Sequence, residues 1–476
     1  MGPLKFSIYL IKFVVYCSSL LLLLSSYFPE KAEATKSHFH SVKVTSLLPA
    51  STCSRRASTG SNQMKYSTTL EVVHMLGPCS PNHEHTKNKP SLSDILSQDQ
   101  SRVDSIQARS NQTFLRNNKA SLPAQLGLPL NTFAYVATIG LGTPQQNVTL
   151  MIDSSSDVTW TQCRPCINCY EQRDPVYNPF SSSTFSRISC DSECFNFSHV
   201  LPCFRGPCAY IRKYGDGSYS HGVVSKERLT ITSTTHDVFQ DFVFGCGQHN
   251  EGLFGKTAGM LGLGRTTNEM SLLHQTAQKY RHYFSYCFPS TVSSTGHLTF
   301  GRKKSKYSAK NVKFIPLLPD PHLYRIEIVE ITVGHTKLPI HPSVFQNPGT
   351  IIDSGAAVTH LPLEAYVKLR DAFKYMMRSS YRSAPAYQNL DTCYYINNHT
   401  NVEYPFVSFT FSRGVEVQLH PSGIVSVVNS TMVCLAFAGR TDPNKYNIFG
   451  NIQQRTLEIV YDVASERLGF GQGGCE

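Results

Sequence analysis

Met151-Ile152-Asp153-Ser154-Ser155-Ser156-Asp157-Val158-Thr159 and, 200 residues later, Ile351-Ile352-Asp353-Ser354-Gly355-Ala356-Ala357-Val358-Thr359 are two versions of one pattern. In each, an apolar run suited to a buried strand delivers an aspartate into a Ser/Gly turn. Each is also followed by an apolar-apolar-Gly element, Met260-Leu261-Gly262 in the first half and Ile448-Phe449-Gly450 in the second. One Asp-Ser turn alone is common loop chemistry. Used twice with matching partners, the pattern predicts two similar lobes that present one carboxylate each to a shared cleft.

The sequence around these turns suits that picture. From Leu130 onward, short runs rich in Val, Ile, Thr, Tyr and Phe are separated by Gly and Pro turns. Tyr135–Ile139, Val148–Ile152, Leu229–Ile231, Phe242–Phe244, Phe314–Leu318, Ile326–Val333, Phe406–Phe411 and Leu457–Tyr461 are the expected strands, and the fold class is all-β. The clearest helical stretch is Leu363–Met377. Residues 35–130 are poor in strand pattern and rich in Ser, Asn, Gln and Lys, with a weakly helical stretch over 91–119. The expected organisation is a signal peptide over 1–34, a removable basic segment over 35–130, a first β lobe over 131–318 and a second over 319–476.

Composition narrows the function. The net charge of +11 is uneven: residues 1–130 carry 14 basic and 7 acidic side chains, the other 346 carry 30 and 26. A nucleic-acid binder would carry its charge on the folded domain, so no nucleic-acid partner is expected. Lys5, Lys12, an apolar run from Phe13 to Phe28 and the small-x-small site Ala32-Glu33-Ala34 read as a secretory signal, with a retained membrane anchor as the alternative. No membrane association is expected once it is removed. Of 15 cysteines, twelve lie in the body: Cys163, Cys166, Cys169, Cys190, Cys194, Cys203, Cys208, Cys246, Cys287, Cys393, Cys434 and Cys475. In an exported chain an even dozen suggests six disulfides. The Cys163-x-x-Cys166-x-x-Cys169 spacing also suits a metal or iron–sulfur ligand set, which export disfavours. Sequons at Asn147, Asn196, Asn398 and Asn429, and a further one at Asn111, fit a glycosylated protein. No metal, cofactor, phosphate loop or serine-nucleophile elbow is expected.

Two aspartates about 3 Å apart cannot both ionise, so such a pair keeps one proton over an acidic range. Its ionised member can take a proton from a water held between the carboxylates, while its protonated member polarises a carbonyl oxygen. That is sufficient apparatus for amide hydrolysis without a covalent intermediate.

Further motifs then give a family resemblance. They are Gly140-Leu-Gly-Thr-Pro144, Trp160-Thr-Gln-Cys163, Tyr214-Gly-Asp-Gly-Ser218, Gly259-Met-Leu-Gly-Leu-Gly264, Thr350-Ile-Ile-Asp-Ser-Gly355, Asn447-Ile-Phe-Gly-Asn451 and Gly469-Phe470. Over residues 70–476 the chain resembles the pepsin-like aspartic endopeptidases, specifically the cysteine-rich plant group with nepenthesin-like and chloroplast-nucleoid-type enzymes. The resemblance implies a bilobal pepsin-like fold and an Asp153/Asp353 dyad supported by Ser154, Ser156, Ser354 and Gly355. It implies a flap carrying Tyr214 and Gly215, with Trp160 bonded to the flap tyrosine. The implied partner is a protein or peptide substrate, the implied state a monomer, and the destination extracellular, with vacuole or plastid as alternatives.

The chain departs from the family's Asp-Thr/Ser-Gly-Ser/Thr motif twice. Ser155 replaces Gly in the first turn, and Ala356 replaces the hydroxyl residue that bonds the outer carboxylate oxygen in the second. Ser156 is expected to keep that bond in the first. Two readings therefore stand: a working endopeptidase, or an impaired relative acting as a peptide-binding or inhibitory protein. The basic residues Arg55, Arg56, Lys65, Lys87, Lys89, Arg102 and Arg109 are candidates to neutralise the acidic cleft before activation.

Overall fold

The computed structural model describes residues 38–48, 50–55, 67–81, 92–112, 135–190, 193–197, 199–203, 205–214, 217–231, 237–265, 270–302, 311–397 and 399–475. The signal region, Arg56, Lys65, Lys87, Lys89, the boundary at Leu130, Gly215 and Asn398 lie outside the described residues, as do the side chains of Arg109 and Asn111.

Strands dominate, and the two long helices are α1 (Leu92–Gln112) and α2 (Leu363–Met377). One sheet runs in the order Lys313–Pro316, Arg467–Gly471, Glu458–Asp462, Tyr283–Cys287, Thr295–Phe300, Thr68–His74, Tyr135–Leu141, Gln146–Asp153, Gly259–Gly262, Trp160–Gln162, Val238–Glu251, Tyr219–Thr230, Ser186–Arg187. A second, smaller sheet orders Arg325–Ile326, Thr350–Ile352, Asn447–Phe449, Thr359–Pro362 and Phe437–Arg440. The first holds the Asp153 strand and the second the strand that ends before Asp353.

The repeat in the sequence is a repeat in the strand pairing. Gly259–Gly262 runs parallel to the first aspartate strand, with Met260 opposite Met151 and Leu261 opposite Ile152. Asn447–Phe449 runs parallel to the second, with Ile448 opposite Ile351 and Phe449 opposite Ile352. These strands are apolar on both faces because both faces are buried. Phe284 of the first lobe stacks on Tyr461 of the second at 4.3 Å, and Tyr135 stacks on Phe288 within the first at 3.9 Å, lining the seam with rigid aromatic surface.

The N-terminal segment departs from expectation. Thr68–His74 is a strand in the middle of the large sheet, paired with Thr295–Phe300 on one side and Tyr135–Leu141 on the other. Its period-2 pattern is short but present: Leu70 and Val72 are buried while Thr69 and Glu71 are exposed. A mostly polar stretch before it and the apolar Val72-Val73 and Met75-Leu76 pairs, which break the alternation, concealed it. Phe39–Lys43 similarly pairs with Asn401–Pro405.

All twelve body cysteines are paired, as Cys163–Cys246, Cys166–Cys169, Cys190–Cys203, Cys194–Cys208, Cys287–Cys475 and Cys393–Cys434. The Cys163-x-x-Cys166-x-x-Cys169 cluster is thus shared between two disulfides. A seventh, Cys53–Cys79, closes a loop within the N-terminal segment. Among the described residues no helix is long and apolar enough to cross a membrane.

Candidate active site

The two aspartates meet, as the paired turns predicted. Asp153 and Asp353 are almost fully buried, each at the end of its apolar strand. Beneath them the turns are cross-linked reciprocally. The amide of Ser154 donates to Ser354 Oγ at 2.9 Å, and the amide of Ser354 donates to Ser154 Oγ at 2.9 Å. Each hydroxyl satisfies a buried amide of the opposite lobe, so the separation of the aspartates is set by backbone as well as by side chains.

The parallel partner strands need their glycines. A Cβ on Gly262 would lie 2.8 Å from the carbonyl oxygen of Val158, and one on Gly450 2.5 Å from that of Ala357. The amides of these glycines donate to Thr159 Oγ1 and Thr359 Oγ1 at 3.2 and 3.0 Å. The second turn is further braced from behind, where Asn451 Nδ2 donates to the Ser354 carbonyl and Gln454 Nε2 to the Asp353 carbonyl.

Donors to the carboxylates differ between the lobes. Asp153 Oδ1 accepts from the Ser155 amide at 2.8 Å and from the Ser155 hydroxyl at 2.9 Å. Asp353 Oδ1 accepts from the Gly355 amide at 3.1 Å, and Ala356 has no hydroxyl to add. The bond expected from Ser156 is absent: its buried hydroxyl has no hydrogen-bond partner. Ser155, which stands where the family motif has Gly, instead supplies the side-chain donor.

Arg102 of α1 sits over both carboxylates. Its Nη2 donates to Asp153 Oδ1 at 2.7 Å, to Asp353 Oδ1 at 3.2 Å and to Ser155 Oγ at 3.1 Å, and its Nε donates to Asp353 Oδ2 at 3.2 Å. A planar fork of donors suits this bridging role better than a point charge. The guanidinium lies so close over Gly355 that a Cβ there would stand 2.0 Å from Nη2. Burial opposes the charge on Arg102, but Asp153 and Asp353 together hold it above its ordinary value. Burial raises Asp353 above the usual carboxylate value; the Arg102 charge works against that rise and the Asp153 charge adds to it.

Other residues of α1 hold the second lobe. Asp99 accepts from the Ala357 amide through Oδ1, and from the Val358 amide through Oδ2 at 3.0 Å. Gln107 brackets Tyr446, donating to its carbonyl at 2.7 Å and accepting from its amide at 2.6 Å. Val103 and Ile106 join Leu323, Ile351, Ala356 and Ile448 in one apolar cluster. Of the seven basic candidates, Arg102 and Arg55 are the two whose side chains are described: Arg102 is at the carboxylates, and Arg55 lies 3.8 Å from Glu71 on the surface. The signal that singles out Arg102 is helical spacing. Asp99, Arg102, Val103, Ile106 and Gln107 recur at three- and four-residue steps and so share one face.

Tyr214 directly follows the strand Ala209–Lys213, in a tight turn where its amide donates to Ser218 O at 2.8 Å. Its hydroxyl accepts from Trp160 Nε1 at 2.9 Å, the bond that the resemblance implies, and donates to Met260 Sδ at 3.2 Å. One unforeseen cluster borders both the flap and the first turn. Arg212 Nη1 is 3.4 Å from Asp157 Oδ1 and 2.8 Å from His199 Nε2, and its guanidinium lies 5.6 Å from the Tyr214 ring centre. Burial alone would raise Asp157, but the His199 hydrogen bond and the Arg212 charge hold it well below the carboxylate range. Asn147, Asn196 and Asn429 are all exposed, as an acceptor asparagine must be.

Comparison with known proteins places this geometry among relatives. The profile described as xylanase inhibitor N-terminal matches residues 135–302, and its C-terminal counterpart matches 323–472. An Arabidopsis thaliana aspartyl protease family protein is 42% identical over 458 residues, covering 93% of this chain and 94% of the relative. Nepenthesin-1, an aspartic proteinase of Nepenthes gracilis, is 31% identical over 376 residues, covering 76% and 83%. Among solved structures, soybean basic 7S globulin superposes with a TM-score of 0.58 at 20% identity, covering 72% of this chain and 94% of the globulin. That last likeness concerns the fold.

Proposed function

The chain belongs to the plant family of pepsin-like aspartic endopeptidases, and from that premise we propose that Asp153 and Asp353 are the two carboxylates with which it hydrolyses peptide bonds. The observation that carries this is the shared guanidinium: one planar group hydrogen-bonds both carboxylates, so a water could do the same once Arg102 withdraws. The ionised aspartate takes a proton from that water as its oxygen bonds the peptide carbonyl carbon. The protonated aspartate gives its proton to the carbonyl oxygen as the π bond opens. Collapse of the tetrahedral intermediate returns the oxygen's proton to a carboxylate and delivers one to the departing nitrogen, which breaks the C–N bond and restores one proton on the pair. Tyr214, held by Trp160, closes the flap over the substrate and limits water in the cleft.

With Arg102 in place, water and substrate have no access to the carboxylates, so the full chain is a latent form. The seven disulfides support maturation in an oxidising, extracytoplasmic compartment, reached through the N-terminal signal. The working form is a monomer, and its substrates are proteins or peptides.

The test is to express the full chain, acidify it, and follow cleavage of a denatured protein with and without a pepstatin-class inhibitor. Inhibitor-sensitive cleavage between about pH 3 and 6, absent from Asp153→Asn and Asp353→Asn, is expected. The second reading, an impaired peptide-binding relative, draws on the absence of a hydroxyl donor at Ala356. Tight inhibitor binding without any cleavage would establish it and end the first.

A further inference from the structure

We infer that Ser155, not Ser156, supplies the hydroxyl that keeps Asp153 ionised, so that the single proton of the pair resides on Asp353. The inference rests on Asp153 and Asp353 being a coupled pair, and assigns their two roles.

The geometry is an uneven distribution of donors. Within its own turn Asp153 has two, the amide and the hydroxyl of Ser155, at 2.8 and 2.9 Å. Asp353 has one, the amide of Gly355 at 3.1 Å, since Gly355 and Ala356 carry no hydroxyl. At Ser156, the position where the family keeps its donor, the hydroxyl is buried and makes no hydrogen bond. The donor has moved one residue along the first turn and has been lost from the second. Hydrogen bonds to a carboxylate favour its charged form, and two close carboxylates cannot both be charged. With Arg102 withdrawn, the negative charge belongs on the aspartate with more donors and the proton on the other.

The remaining ionisable neighbours do not reverse this order. Tyr286 of Tyr283–Cys287 and Tyr461 of Glu458–Asp462 face Asp353, and burial pushes both phenols well above their ordinary value, so they stay neutral. Asp99 of α1 is committed to the amides of Ala357 and Val358, with His360 3.9 Å away. Asp157, at the far end of the first turn, is paired with the Arg212 guanidinium and hydrogen-bonded to His199.

In the mechanism above, Asp153 is then the group that takes the water proton and Asp353 the acid that protonates the carbonyl oxygen. Ser155 is a positioning residue: it acts through Asp153.

The experiment labels aspartate carboxyl carbons with 13C in the full chain carrying Arg102→Ala, so that the pair titrates without the guanidinium, with Asp153→Asn and Asp353→Asn assigning the resonances. Asp153 is expected to follow the lower titration step and Asp353 the upper. Ser155→Gly should raise the lower step by about one pH unit, with the acid limb of kcat/KM in the acid-activated chain moving likewise, whereas Ser156→Ala should leave both in place. Ser155→Ala is the second variant if the glycine form does not fold. An Asp153 resonance in the upper step overturns the inference, as does a limb that moves with Ser156 and not with Ser155. A titration split as stated in a chain that never cleaves would refute the proposed activity and leave this assignment standing.

Discussion

In the first lobe the Asp153 strand lies beside Gly262, whose amide binds Thr159; in the second the Asp353 turn lies beside Gly450, whose amide binds Thr359. Ser154 and Ser354 exchange identical bonds across the seam. Past these positions the likeness ends. Ser155 reaches Asp153 and Arg102 with its hydroxyl, while Gly355 leaves room for the same guanidinium. On the outer side Asp157 pairs with Arg212 and His199, whereas the amides of Ala357 and Val358 are taken by Asp99. The backbone frame is alike because close packing and reciprocal hydrogen bonds leave it no freedom. The polar equipment differs because each carboxylate needs its own donors for its own share of the charge.

The strongest challenge to this comparison is at the carboxylates themselves. Asp153→Asn and Asp353→Asn should each lower kcat/KM by at least about 10³-fold, since a reaction shared by two groups fails when either is lost. Retention of substantial cleavage by one variant would mean that the lobes do not contribute jointly.

Arg102 is the group that both turns share. Docked, its charge favours the ionised form of both carboxylates; released, the pair keeps one proton. Docking therefore expels a proton, strengthens as pH rises and weakens as pH falls. Arg102→Ala should shift the balance towards the open form by about 100-fold, the low end of the cost of a broken buried ion pair. It should be read as cleavage, or inhibitor binding, near neutral pH without prior acidification. Unchanged latency in Arg102→Ala would show that α1 blocks the cleft by bulk alone.

The reciprocal serine bonds come next in size. Ser154→Ala or Ser354→Ala leaves one buried amide of the opposite turn without its acceptor, at a cost of about 2 kcal/mol each. Because both bonds measure 2.9 Å, the two variants should lower Tm equally, by roughly 4 °C. Unequal losses would show that the symmetry of the frame is geometric but not energetic.

His74 adds a pH dependence that neither turn has. Burial, with the Arg455 charge behind it, pushes its pKa down to about 3 from 6.5. A histidine that must stay neutral when docked stabilises the segment fully above 6.5, and that stability is lost as pH falls towards 3. His74→Leu should make acid release of the segment less steep by about one proton, measured as inhibitor binding against pH.

Much of this site is legible in the sequence, for identifiable reasons. An aspartate after an apolar strand, met twice with matching apolar-apolar-Gly partners, announces the paired strands because parallel buried strands require such runs. α2 falls at Leu363–Met377 as the periodicity predicts. Arg102 is less legible, because a basic residue in a weakly amphipathic helix looks like a solvated charge until Asp99 and Gln107 are seen on its face. The strand Thr68–His74 is hidden by the polar stretch before it and by the Val72-Val73 and Met75-Leu76 pairs that break its alternation. The reversal between Ser155 and Ser156 is not legible at all, since one rotamer and a few tenths of an ångström decide which hydroxyl meets the carboxylate.

The smallest effect tests the asymmetry most directly. Ala356→Ser restores a hydroxyl beside Asp353, the carboxylate with one donor from its own turn. A donor there favours the ionised form of Asp353, so its proton is lost at lower pH. The alkaline limb of kcat/KM should then fall by about half to one pH unit while the acid limb, set by Asp153 and Ser155, stays in place. A hydroxyl added to the apolar cluster that Ala356 forms with Val103 and Ile106 should also weaken α1 slightly, so the profile is measured after acid activation. If the acid limb moves instead, the hydroxyl has served Asp153, and the division of roles between the turns is the reverse of the one drawn from their donors.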